Sequence, residues 1–123
     1  MDKFLSPIEP VCSPKPPLHE RNLLGVADAS RLEAMFKTLA NATRLRLLHA
    51  LVRAGELCVR ELADAIGMKP QTVSNQLQRL TDKGILGSRR NGTQVHYRIV
   101  DPCVVTLLDQ GLCLSEDAVT RTR

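Results

Sequence analysis

The stretch Glu56 to Leu80, ELCVRELADAIGMKPQTVSNQLQRL, constrains this chain more than any other part of it. Apolar residues recur at helical spacing in both halves: Leu57, Leu62, Ala65 and Ile66 in the first, Val73, Leu77 and Leu80 in the second. Two helices with such faces pack on one core. Between them Gly67 can adopt the left-handed conformation that ends a helix, and Pro70 suits the first turn of the next, where a backbone N–H would have no partner. The pattern predicts a helix-turn-helix. In its second helix Gln71, Thr72, Ser74, Asn75 and Gln78 lie off the apolar face, with Lys69 just ahead of them. Amides and hydroxyls of this kind hydrogen-bond base edges and phosphates, which marks a recognition helix, although the same residues also suit an ordinary polar helix surface.

The next segment favours the DNA reading. Lys83-Gly84 stops the helix, and Ile85 to Val100 carries strand-type residues on both sides of Asn91-Gly92, a strong hairpin signal. This is a two-stranded wing. Arg89, Arg90, His96 and Arg98 on it could lie along a phosphate backbone or reach into a minor groove. A solvated charged hairpin is the bland alternative, and a helix-turn-helix directly before it argues against that.

Composition narrows the partner. The 123 residues make one domain, with one Tyr, two Phe and no Trp, so the core is aliphatic and base stacking, the main tool of single-strand binders, is nearly absent. Duplex DNA is the expected partner. The formal net charge is only +4, but Lys69, Arg79, Lys83, Arg89, Arg90 and Arg98 concentrate in the reading unit. No apolar run reaches the roughly 18 to 20 residues needed to span a bilayer, and the start MDKFLSPIEP lacks the apolar stretch of a signal peptide, so a cytosolic protein is expected. In a reducing compartment the four cysteines point to metal binding or redox sensing rather than a disulfide framework, with a small buried hydrophobe as the alternative for each.

The organisation is simple. Residues 1–27 form a Pro-rich arm that carries Cys12, five of the seven prolines falling before His19. Residues 28–116 form the winged domain, with the reading unit at 56–83, the wing at 85–100 and a C-terminal helix at 102–114; residues 117–123 are a fraying tail. Leu32, Met35, Phe36 and Leu39 share a face of the first helix, and Asn41 can cap a second, buried helix running to about Arg53. Asp101-Pro102 opens the final helix with Val104, Val105, Leu107, Leu108 and Leu112. The first and last helices hold more apolar surface than one small core needs. A homodimer through these N- and C-terminal helices would bury it and present two recognition helices to a roughly palindromic operator.

From about Ser30 to Glu116 the chain resembles the ArsR/SmtB family of metal-responsive bacterial repressors. The resemblance rests on LANATRLRLLHAL, ELCVRELA, TVSNQLQRL, KGILGSRRNGTQVHYRI and the helix opening Asp101-Pro102-Cys103. It implies a mainly α fold with a small β-hairpin, a homodimeric winged helix-turn-helix that represses when metal-free and leaves its operator when an inducer binds. One family site joins arm cysteines to a Cys-Val-Cys pair at the start of the scaffold helix. Cys58 matches the first of that pair, Cys12 lies on the arm, and Arg60 replaces the second cysteine. Another site lies on the final helix, where Asp101 and Cys103 occupy the Asp-x-His places and Cys113 and Glu116 keep the far three-residue offset. Cys103 and Cys113 are one residue closer than that pattern requires, a rotation of about 100° on a helix.

The resemblance and these residues predict a repressor induced by a thiophilic ion, Hg(II), Cd(II), Pb(II) or As(III), through Cys12, Cys58, Cys103 and Cys113, with Asp101 and Glu116 as weaker candidates. Cysteine in place of histidine disfavours Zn(II). The alternatives are a redox or persulfide sensor of the same fold and a winged helix used only for protein interaction. No catalytic motif, dinucleotide fingerprint or Walker loop is present, so neither an enzyme nor an organic cofactor is expected, and no membrane partner.

Overall fold

The computed structural model describes residues 14–121, which leaves Cys12 outside the described residues. The helices are α1 (Val26–Leu39), α2 (Ala42–Ala54), α3 (Val59–Ile66), α4 (Pro70–Asp82) and α5 (Pro102–Arg121). The strands are β1 (Leu57–Cys58), β2 (Leu86–Asn91) and β3 (Gln94–Ile99), arranged in the antiparallel order β1-β3-β2. Helices α2, α3 and α4 wrap one aliphatic core. Leu47, Leu48 and Leu51 come from α2, Leu62, Ala63 and Ile66 from α3, and Val73, Leu77 and Leu80 from α4. Ile85, Leu86 and Tyr97 close it from the sheet, and Leu39 and Val104 from α1 and α5.

Local chemistry sets the boundaries. The Asn41 side chain accepts the Arg44 N–H at 3.0 Å and opens α2. Gly67 ends α3 in the left-handed region at φ 68°, and Pro70 is the first residue of α4. Because α3 starts at Val59, its inward positions are Leu62, Ala63 and Ile66, and Ala65, expected on the apolar face, points to solvent. In α2, which the sequence marks as a buried helix, Leu45 is 38% exposed.

Three features differ from the sequence reading. A third strand, β1, pairs Leu57 with Tyr97 and Cys58 with His96; two residues are too short to show alternation in a sequence. In the hairpin Asn91 pairs with Gln94, so the loop residues are Gly92 and Thr93, one step beyond the Asn91-Gly92 expected. Of the two loop residues, Gly92 has positive φ, at 67°, as suits a two-residue loop with glycine first. Finally, α5 continues past residue 114 to Arg121, through the stretch expected to fray. No proline interrupts it, Gly111 alone does not end it, and Arg121 pairs with Asp117 one turn back at 3.6 Å.

Helix α1 buries only Leu39. Leu32, Met35 and Phe36 are 44%, 37% and 47% exposed, and Leu112, Leu114 and Val119 of α5 are 60%, 63% and 56% exposed. The chain by itself leaves both apolar rows open.

A Cβ at Gly67 would meet nothing within 4 Å, so a substitution there is opposed by backbone conformation alone. Gly67→Ala should lower the unfolding free energy by about 1 kcal/mol and Gly67→Asn by less, measured by urea denaturation at fixed protein concentration.

Candidate nucleic-acid interface

The aliphatic face of α4 is fully buried, and its opposite face is thereby turned outward. Gln71, Asn75 and Gln78 are exposed on it, Lys69 is exposed at its N-cap, and Thr72 and Ser74 are half-buried on its flanks. Gln71 Nε2 donates to Asn75 Oδ1 at 3.1 Å and Gln78 Nε2 to Asp82 Oδ1 at 2.8 Å. These one-turn bonds hold the amides in a row. Each amide keeps further donor and acceptor capacity for a groove.

The wing arginines fall into two groups. Arg90 is exposed, whereas Arg89 Nε lies 2.6 Å from Glu56 Oε1 and its side chain is only 21% exposed. Arg98 is half-buried. The alternation of strand side chains explains the split: Cys58 and Arg89 both face His96 across the sheet, and Glu56, two residues before Cys58, shares their side. His96 Nδ1 lies 3.6 Å from the same Glu56 oxygen. Of the cations expected to reach phosphate, Arg89 is therefore committed to the root of the wing. Glu56 went unread in the sequence; its spacing from Cys58 was the available signal.

Two arginines of α2 have partners on other elements that the sequence does not reveal. Arg46 Nη1 donates to the Ile66 carbonyl at 3.1 Å, filling one of the open acceptors at the end of α3. Arg44 donates to the Thr38 carbonyl through Nε at 2.6 Å and to Gln76 Oε1 through Nη1 at 2.7 Å. Arginines inside a Leu-rich buried helix were the clue.

The candidate thiols stand in different surroundings. Cys58 is a free thiol, 4% exposed, at the N-cap of α3. Its backbone N–H donates to Glu61 Oε1 at 2.9 Å, and its side chain accepts from the Glu61 backbone, a capping box with sulfur in place of a hydroxyl. The backbone hydrogen bond from Cys58, and then the one from its side chain, hold the Glu61 carboxyl below the usual carboxylate range. Cys103 lies in the first turn of α5, where its N–H donates to Asp101 Oδ1 at 2.8 Å, so Asp101 caps the helix. Cys103 is disulfide-bonded rather than a free thiol. Cys113 is free and exposed, its thiol 3.8 Å from Asp117 Oδ2, a neighbour absent from the sequence reading although one turn away. Glu116 is exposed on the same helix.

Ten residues separate Cys103 from Cys113 on an unbroken helix, a rise of about 15 Å. Among the described residues no three His, Cys, Asp or Glu side chains come together in a group that could hold a metal ion. Nor is any helix of the described residues long and apolar enough to cross a membrane.

A polar helix held outward by an aliphatic three-helix core, followed by a cationic hairpin, defines a winged helix-turn-helix DNA-binding protein. Residues 41–88 match the model of the bacterial regulatory protein arsR family. The cadmium resistance regulatory protein CadC of Listeria innocua serovar 6a is 32% identical over 92 residues, which cover 75% of this chain and 77% of that protein. The crystal structure of AntR, an antimony-specific transcriptional repressor, superposes with TM-score 0.75 at 60% identity, over 89% of this chain and 98% of AntR. A homodimeric winged helix-turn-helix DNA-binding domain from Mycobacterium bovis superposes with TM-score 0.67 at 31% identity, over 80% of this chain and 93% of that one. The chain belongs to the ArsR family: it is a DNA-binding transcriptional repressor, not an enzyme.

On an operator duplex recovered by in vitro selection, Arg90→Ala should weaken binding across related sequences and lower the slope of log K against log salt by about one. Arg89→Ala should leave that slope unchanged, because its charge is spent on Glu56.

A second expectation concerns pH. A depressed folded-state pKa makes the Glu61 contribution to stability present above the unfolded value, about 4.3, and lost as pH falls through the folded one. Denaturation midpoints from neutral to acid pH should therefore fall less steeply for Glu61→Gln than for the wild type.

Proposed function

We propose that this repressor leaves its operator when a trivalent metalloid, antimonite or arsenite, is bound by cysteine thiolates on α5 of a homodimer. The observation that carries the reading is the likeness to AntR, whose name specifies antimony, over nearly the whole of that chain. The exposed free thiol of Cys113 agrees with it. Soft thiolates suit As(III) and Sb(III), and also Cd(II), Hg(II) and Pb(II), more than they suit harder ions. The cadmium in the name of CadC keeps Cd(II) as the nearest competitor.

The dimer follows from the open apolar rows of α1 and α5 and from the homodimeric relative. It would place two recognition helices on a roughly palindromic duplex. It also answers the ligand problem. Cys103 and Cys113 of one chain are too far apart to share an ion, so each site joins Cys103 of one subunit to Cys113 of the other. Cys12, expected as a ligand from the sequence, is the candidate third thiol in the reduced protein. Cys58, committed to capping α3, stays outside the site, and Asp101 acts as a cap and not as a ligand. Binding then biases the dimer toward an arrangement whose reading helices no longer match successive grooves, a coupling on the order of 1 to 3 kcal/mol.

The disulfide at Cys103 favours a second reading, in which oxidation rather than ion binding releases the operator. Titration of the dithiol-reduced protein with antimonite, followed by thiolate-to-ion absorption and operator anisotropy, separates the two. Release by antimonite under reduction, lost in Cys103→Ser and Cys113→Ser and kept in Cys58→Ser, is the expected result. Full release in the Cys103→Ser/Cys113→Ser double variant would overturn the ligand assignment, and release by oxidant alone would favour the second reading.

A further inference from the structure

We propose that Arg44 is a positioning residue for operator recognition, which sets the placement of α4 by bridging the end of α1 to Gln76. Its guanidinium joins two elements that the aliphatic core does not lock together. Nε donates to the Thr38 carbonyl at 2.6 Å, in the last turn of α1, where carbonyls have no partner within the helix. Nη1 donates to Gln76 Oε1 at 2.7 Å, in the middle of the recognition helix. The Arg44 N–H is in turn held by Asn41, so the residue is fixed where α1, α2 and α4 meet.

The core leaves this task open. Val73, Leu77 and Leu80 keep one face of α4 inward, but apolar contacts are non-directional and resist a small roll or slide of the helix only weakly. Beside the bridge, Thr38, Arg44, Arg79, Asp82 and Lys83 line an open crevice of about 170 Å³, so apolar packing does not fill the gap between α1 and this edge of α4. A directional polar bridge fixes the spacing instead. Guanidinium has donors only, so the Gln76 amide turns its oxygen toward Arg44. Lysine would bring the same charge without the planar fork that engages both acceptors.

Arg44 thus acts through Gln76 and not as a phosphate contact, and binding to the selected operator duplex distinguishes the two roles. Arg44→Gln, Arg44→Lys and Gln76→Leu should each lower affinity roughly tenfold, and the Arg44→Gln/Gln76→Leu double variant should fall no further, as expected for two residues in one bond. The salt slope should match wild type in all four. A slope lowered by about one in Arg44→Gln, or full rescue by lysine, would assign Arg44 to phosphate and overturn the proposal. So would losses that multiply in the double variant. If the Arg44 variants fail to fold, the half-buried Gln76→Leu decides alone: wild-type affinity in it overturns the bridge.

Discussion

The reading helix and the root of the wing are oriented by the contact of α2 with α3 and α4 through Leu47, Leu48, Leu51, Leu62, Val73, Leu77 and Leu80, all 2% exposed or less. Burying these side chains is worth roughly 1.5 to 3 kcal/mol each before the entropy of ordering the chain is set against it. With the aliphatic face of α4 turned inward, its amides and hydroxyls have only the outside to face. The same core receives Ile85, Leu86 and Tyr97, which seats the root of the wing beside the reading helix.

Polar bonds then refine what the aliphatic contact leaves loose. Arg46 ties α2 to the end of α3, Arg44 ties it to α1 and α4, and Glu56 holds Arg89 at the base of the wing. Each joins separate elements of the fold. Directional bonds between elements already packed by non-directional ones are a common way for a fold to gain a single arrangement. A helix that reads base edges needs such a fixed placement.

The helix-turn-helix and the wing were legible in the sequence because they are written in period and punctuation: Leu62, Ile66, Val73, Leu77 and Leu80 at helical spacing, Gly67 and Pro70 at the turn, and strand-type residues on both sides of Asn91-Gly92. What stayed hidden has no period. Strand β1 is two residues long, and its effect, burying Cys58 opposite His96, arises from pairing with a strand nearly forty residues later. Arg89 reads as one more cation until its partner Glu56 is placed beside it. The length of α5 is hidden because SEDAVTRTR is polar, although polarity is no bar to an exposed helix. The thiols were visible as residues but not as environments: only the fold separates a cysteine that caps a helix from one that stands in solvent.

One chain alone cannot bring Cys103 and Cys113 to a single ion, since about 15 Å of helix separates them. Mixed dimers made from one Cys103→Ser subunit and one Cys113→Ser subunit test this directly. Across the dimer such a pair retains one complete Cys103–Cys113 couple, whereas within a chain it retains none. Antimonite titration of the reduced mixed dimer should give half the wild-type stoichiometry, with no binding in either parent homodimer. A mixed dimer that binds nothing, or parents that bind as wild type, would contradict a site shared between subunits.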